Sequence, residues 1–377
     1  MFVLTKIFSI IRFALNIILF TLLTFIPSQM AKAQSASLEQ MAGQMIMVGF
    51  QGNTASAQSV IQTRSLIKNG KIGGIMYLKT NVLSLANVKA MNDGFLGAGS
   101  VLPPFIAIDQ EGGSIERLTS KVGFAEIPSA ANFGKSQSPN RANKIYYAMA
   151  KSLASLGINM NFGPVVDLNI NKQNPIIAKY GRSYSDDPKV VVSYAWAFVS
   201  AHRIAGVIST LKHFPGHGSS ASDSHLGFTD ITKTWQANEL EPYRVMVKEG
   251  KVDMIMVGHL FHQKFSTDPN AKIPSSLSVN WITGVLRKQI GFDGVVISDD
   301  MEMAAIREIF SLKETVILAI NAGTDILLFS NTANYRIGLA DEVRAIIVNE
   351  ANSNPDFRAK VEASYNRIVK LKKTIGN

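Results

Sequence analysis

The chain contains no cysteine. Disulfides and lipid-modified cysteines are therefore excluded, and the folded protein must stand on its core alone. Basic blocks interleaved with aromatics are also missing, which sets nucleic acid aside as a partner despite a net charge of +10. No Gly-Lys-Ser/Thr ending follows the glycine turns, so there is no phosphate loop. Low-complexity linkers and a second-domain boundary are absent. Only 18% of the 377 residues are charged and 46% are hydrophobic, a balance that provides a sizeable core and argues against wholesale disorder.

Long apolar runs are equally scarce. The longest, Phe13 to Pro27, follows Lys6 and Arg12 and precedes Ala31-Lys32-Ala33. A positive start, a short apolar middle and a small-residue site are the layout of a cleavable secretory signal. The reading is a signal peptide over 1–33 and one domain over 34–377, with the mature protein periplasmic or secreted. The run falls short of the roughly 20 apolar residues of a spanning helix, which leaves an uncleaved anchor as the alternative. Lys6, Arg12 and Lys32 are the only charges before residue 34, so their removal takes three from +10 and leaves +7. That excess suits an anionic partner such as cell wall, or ordinary solubility. A monomer is expected.

What the chain does have is a rhythm. Eight short apolar runs recur, with amphipathic stretches between them: Met45–Phe50, Gly74–Leu78, Phe105–Asp109, Ile158–Asp167, Gly206–His213, Met254–His259, Val295–Asp299 and Ile326–Ser330. Short apolar runs alternating with helical segments indicate parallel strands in βαβ units. Pro188–Ile204, opened by Asp186-Asp187, reads as a helix, as do Met301–Ala322 and Tyr335–Asn349. Phe357–Lys373 reads as a final helix. Eight strand–helix pairs predict an α/β fold, a (β/α)8 TIM-type barrel, with a doubly wound open sheet as the competitor. Several runs end in reactive residues: Asp109, Asp167, Lys212-His213, His259 and Asp299. Barrel enzymes place their sites at those strand ends, which favours the barrel.

Five of the six histidines fall between residues 213 and 262. They cluster around Lys212-His213-Phe214-Pro215-Gly216-His217-Gly218 and Asp223-Ser224-His225. Histidine moves protons near neutral pH, and the glycines mark a loop. Retaining sugar cleavage needs a carboxylate nucleophile and a group that protonates the leaving oxygen. Asp299 and Asp300 are candidates for the first, one facing the barrel mouth while the other caps the next helix. Asp109 is a third candidate, better suited to holding hydroxyls. His225 can be the acid/base, with Asp223 orienting its imidazole. Lys212, His213 and Arg182 are donors for sugar oxygens. A metal reading also exists, because His213 and His217 have His-x3-His spacing, but Pro215, Gly216 and Gly218 make a poor helix. His217 and His259 read as partners of loop backbone, and His202 as structural. Met45, Met47, Met254 and Met256 read as core filling.

Together these motifs resemble the NagZ-type single-barrel β-N-acetylglucosaminidases of glycoside hydrolase family 3. The similar segments are Asp109–Gly113, Gly163–Asp167, Asn174–Ile177 with Gly181–Ser183, Lys212–Gly218 with Asp223–His225, and Gly291–Gly294 leading to Ser298–Met301. The resemblance implies Asp299 as nucleophile, His225 with Asp223 as acid/base, and Asp109, Arg182, Lys212 and His213 around an N-acetylglucosamine unit. It implies a retaining exo-enzyme acting on peptidoglycan fragments or chitooligosaccharides, without cofactor or metal. Ser114, Ser185, Ser219-Ser220 and Phe228-Thr229 depart from the family pattern. None removes a proposed catalytic group, but an exported cell-wall-binding protein with a weakened site is the rival reading.

Overall fold

The computed structural model describes residues 36–375 apart from 251, 267–270 and 333. The signal-peptide segment lies outside the described residues. Eight parallel strands form the centre: β1 Ile46–Gly49, β2 Gly74–Tyr77, β3 Phe105–Ile108, β4 Met160–Asn161, β5 Ile208–Phe214, β6 Met254–Val257, β7 Val295–Ser298 and β8 Leu327–Phe329. Seven lie within the eight apolar runs, and β5 extends one residue beyond its run, to Phe214. β1 to β7 pair in chain order, and β8 pairs with β1. A parallel bridge between Ile297 and Ile326 brings β7 to the start of β8 and closes the ring. The open-sheet alternative is thereby set aside.

The strands are buried along their whole length because side chains fill the barrel inside and helices cover it outside. Met45, Met47, Met254 and Met256 are all in that core. Helix Pro188–Ile204 has the expected bounds, with Asp187 accepting the Lys189 N–H at 2.9 Å as its N-cap. The stretch expected as one helix over Met301–Ala322 is instead two, Ala304–Arg307 and Leu312–Ala322. Ser311 and Glu314 form a capping box that starts the second afresh. The next helix is Leu339–Ser353, displaced towards the C-terminus from the expected Tyr335–Asn349.

The final helix, Pro355–Lys372, is fastened to the floor of the barrel. Asp325, just before β8, is fully buried. It accepts from Arg287 (2.7 Å), the Val296 N–H (2.8 Å), Ser364 (2.8 Å) and Arg367 (3.1 Å). Two cations and two neutral donors offset the desolvation of one carboxylate. Removing that carboxylate strands the cations. Asp325→Ala is expected to lower unfolding free energy by about 3–5 kcal/mol, read from urea titrations. A loss under about 1 kcal/mol contradicts the clamp.

Candidate active site

The strand ends converge as sequence spacing suggested. β5 carries the densest chemistry, and its register against β6 shifts between Leu211 and Phe214. A regular strand sends neighbours to opposite faces. The irregularity lets both Lys212 and His213 serve the barrel mouth. Lys212 Nζ lies 2.8 Å from Asp109 Oδ1 and 2.6 Å from Glu111 Oε1. His213 Nδ1 lies 2.7 Å from Asp167 Oδ2, and its Nε2 lies 3.2 Å from Arg182 Nη2. Since arginine only donates, Nε2 accepts and Nδ1 carries the proton to Asp167.

Glu111 is the hub of the cationic side. Arg182 grips it with two bonds, Nε to Oε2 at 2.9 Å and Nη2 to Oε1 at 2.8 Å. Burial alone would raise the Glu111 carboxyl, but Arg182 and Lys212 outweigh it and hold it down at about 2. Asp109 sits between Lys212 and Arg117, whose Nη2 is 2.8 Å from Oδ2. Burial pushes Asp109 up, and those two cations bring it below its usual value. Asp167 accepts from the His213 ring, the His213 amide (3.2 Å) and the His217 amide (2.8 Å). Glu111 and Asp167 therefore brace the site. Arg182 and Lys212 are almost fully buried, while Asp109 keeps some exposure.

The two acids at the end of β7 have different partners, and neither caps the next helix, whose N-cap is Met303. Asp300 accepts the backbone N–H groups of Glu302 (3.1 Å) and Ser330 (2.8 Å), so it ties two loops together; the following helix starts only at Ala304. Asp299 is partly exposed and has no cation bonded to it among the described residues. Its one bond accepts the Asp300 N–H at 2.8 Å. Burial pushes the Asp299 carboxyl up, but His213, His259 and His225 around it win and hold it below the ordinary aspartate value. An ionised, unclamped carboxylate at a barrel mouth is equipped to attack an electrophile.

His225 lies on the loop between β5 and a short strand, Thr229–Asp230. Its Nδ1 lies 2.8 Å from Asp223 Oδ1, and its side chain is 54% exposed, free to meet a ligand. His217, in contrast, is buried. Its ring bonds the hydroxyls of Ser220 (2.7 Å) and Ser224 (3.2 Å), not loop backbone as expected, and burial holds it down at about 4. His259 does reach backbone, the Asp300 carbonyl at 2.9 Å. His202 bonds Phe198 and Asn161 inside its helix packing. Both ring nitrogens of His213 and of His217 are occupied, which leaves the His-x3-His pair without a free lone pair for zinc. Among the described residues, no group of three or more His, Cys, Asp or Glu is placed to hold a metal. A cavity of about 320 Å³ opens at the N-terminal ends of β6 and β7, lined by Asp253, Phe292 and Arg367; it contains none of these groups.

Arg117 was not singled out from the sequence. It follows Asp109 by eight residues and is folded back by the Gly112–Gly113 turn and by Gln110, whose side-chain oxygen accepts the Arg117 N–H at 3.1 Å.

A parallel barrel with an anionic nucleophile candidate and a histidine–aspartate pair at its C-terminal face defines the class of barrel glycosidases. Comparison with known proteins places it more narrowly. Residues 37–371 match the family model described as Glycosyl hydrolase family 3 N terminal domain. The chain belongs to glycoside hydrolase family 3. It is 33% identical to Beta-hexosaminidase A of Pseudoalteromonas piscicida over 93% of this chain and 64% of the relative. A β-N-acetylglucosaminidase structure from Paenibacillus sp. str. FPU-7 superposes with TM-score 0.80 at 31% identity, over 90% of this chain and 63% of that one. A β-N-acetylhexosaminidase from Beutenbergia cavernae DSM 12333 gives TM-score 0.78 at 30% identity, over 90% and 99%. The chain thus spans under two-thirds of the length of the first two.

The Glu111 clamp makes a pH prediction. Its pKa is lowered on folding, so its stabilisation is fully present above about 4.5 and is lost as pH falls through about 2. Glu111→Gln is expected to unfold at lower urea than wild type at pH 7, by on the order of 3 kcal/mol. The gap should narrow between pH 4.5 and 2. A gap that stays constant across that window contradicts the clamp.

Proposed function

We propose that the protein is a retaining exo-β-N-acetylglucosaminidase, exported by residues 1–33, acting on peptidoglycan fragments or chitooligosaccharides. The observation that carries this reading is the contrast between Asp299, ionised and unclamped, and the exposed His225–Asp223 pair. In the first step the Asp299 carboxylate attacks the anomeric carbon. The glycosidic C–O bond breaks, and the proton on His225 passes to the leaving oxygen. In the second, His225 takes a proton from water, the water oxygen attacks the anomeric carbon, and Asp299 departs. Asp223 holds the imidazole and stabilises its charged form. Asp109, Lys212, Arg182 and His213 line the pocket for the N-acetylglucosamine unit, with Asp109 the acceptor for sugar hydroxyls. No metal enters either step. The names of the hexosaminidase relatives support the N-acetyl preference.

The test is hydrolysis of a chromogenic β-N-acetylglucosaminide beside the matching β-glucoside, with EDTA present, by protein recovered from the medium or periplasm. Selective, EDTA-insensitive release is expected, from a chain beginning at Gln34. Asp299→Asn should abolish most turnover while folding normally. His225→Ala should cost about 10²–10⁴ on a poor leaving group. Normal activity in either variant, or silence of the folded wild type on both substrates, sinks the reading.

A further inference from the structure

One buried acid takes no part in the chemistry above. Glu239 is 1% exposed, on the short turn Ala237–Leu240, and forms no ion pair among the described residues. Burial pushes its carboxyl up to about 7, and the nearby Asp167 charge adds to the rise. A carboxyl held in apolar surroundings without a cation is costly, so its contacts matter. Oε1 accepts the Gln236 N–H at 3.2 Å, and Oε2 accepts the Ser219 N–H at 3.3 Å. The Ser219 hydroxyl is buried beside the same carboxyl, and its interaction with it offsets part of the rise.

Ser219 is the root of the loop that carries Asp223 and His225. Pro215 and Gly216, shortly before it, lie against Trp235 and the Glu239 turn. Trp235 Nε1 donates to the Pro215 carbonyl at 3.1 Å. Gly216 has φ of 121°, and a Cβ there would come within 2.6 Å of the Glu239 Cβ. The far root of the loop is fixed by pairing of Thr229–Asp230 with Leu260–Phe261. Near Ser219, Asn174 holds the Ser220 carbonyl at 3.1 Å and His217 holds the Ser220 and Ser224 hydroxyls. The Ser219 amide itself is left to Glu239. His225 is exposed and bonded to Asp223 within its own loop, while its neighbour Ser224 is held by His217 and accepts the Ala305 N–H at 3.4 Å. Its reach therefore depends on how the loop roots are held.

We propose that Glu239 is a positioning residue for proton transfer: its buried carboxyl pins the Ser219 end of the loop and so sets how well His225 reaches the leaving oxygen. The inference rests on the reading of His225 as the acid. It predicts a defect confined to substrates that need a proton. A dinitrophenyl leaving group departs without one, whereas the sugar alkoxide of chitobiose does not. The ratio kcat/KM reports only the steps through glycosylation, so the later base role of His225 does not enter.

Full-length wild type, Glu239→Gln, Glu239→Met and His225→Ala are compared on 2,4-dinitrophenyl β-N-acetylglucosaminide and on chitobiose. Glu239→Met removes the acceptor and keeps the volume. It is expected to lower kcat/KM for chitobiose about tenfold, the worth of one hydrogen bond to a charged or strongly polar group. The dinitrophenyl substrate should stay within about twofold. Glu239→Gln keeps one acceptor oxygen for two N–H donors, so its ratio should fall between wild type and Glu239→Met. Equal losses on both substrates, no loss on either, or a glutamine variant as selective as the methionine one overturns the proposal. Should Glu239→Met not fold, Glu239→Asp withdraws the acceptor by one methylene and the same ratio decides. His225→Ala separates the two levels. If it lacks leaving-group selectivity, the acid assignment fails; if it shows it and the Glu239 variants do not, only this inference fails.

Discussion

A carboxylate taken out of water loses several kcal/mol of hydration unless donors fill its oxygens. Asp167, fully enclosed after β4, meets that requirement with three N–H groups, all from β5 and the turn beyond it. Satisfying one buried charge thereby orients the His213 ring, fixes its tautomer and sets the path of the chain through His217. His213 then faces Arg182, while the His217 turn leads into the loop that bears His225. The proposed sugar pocket and proton transfer both hang from this bond set. Gly218 shows how tight the turn is: a Cβ there would lie 1.6 Å from the Leu168 carbonyl oxygen.

Around that anchor the acids differ by their partners. Glu111 and Asp109 are compensated by Lys212, Arg182 and Arg117; Glu111 braces the site, while Asp109 keeps some exposure. Asp300 is filled by backbone amides. Asp299 differs again: imidazoles around it keep its charge, and among the described residues no cation is bonded to its oxygens. Sequence neighbours thus acquire opposite duties, because environment sets what a carboxyl can do. Glu239 extends the pattern below the loop, where burial pushes its carboxyl up to about 7.

Much of this was readable before any coordinates. The eight apolar runs became the eight strands because a barrel strand covered on both faces must be apolar throughout. The reactive residues at their ends fell at one rim for the same geometric reason. Helix Pro188–Ile204 was legible from its cap, a purely local signal. What stayed hidden was non-local. The partner of Arg182 lies 71 residues earlier, and the partner of the His213 ring 46 residues earlier. No spacing rule says that Glu111 and Asp167 will brace while Asp299 stays free. The break inside Met301–Ala322 was missed because its hydrophobic period runs on, whereas the Ser311 capping box restarts the helix.

The account turns on Asp299 as the atom donor to a covalent intermediate. The most direct test is to trap it: incubate the protein with 5-fluoro-N-acetylglucosaminyl fluoride, whose ring fluorine slows breakdown of a glycosyl-enzyme, then digest and sequence by mass spectrometry. The account predicts a single added sugar on the Asp299 side chain, absent from Asp299→Asn. A sugar found on another residue, or full turnover of the reagent by a wild-type enzyme that releases α-configured product without any adduct, would contradict it.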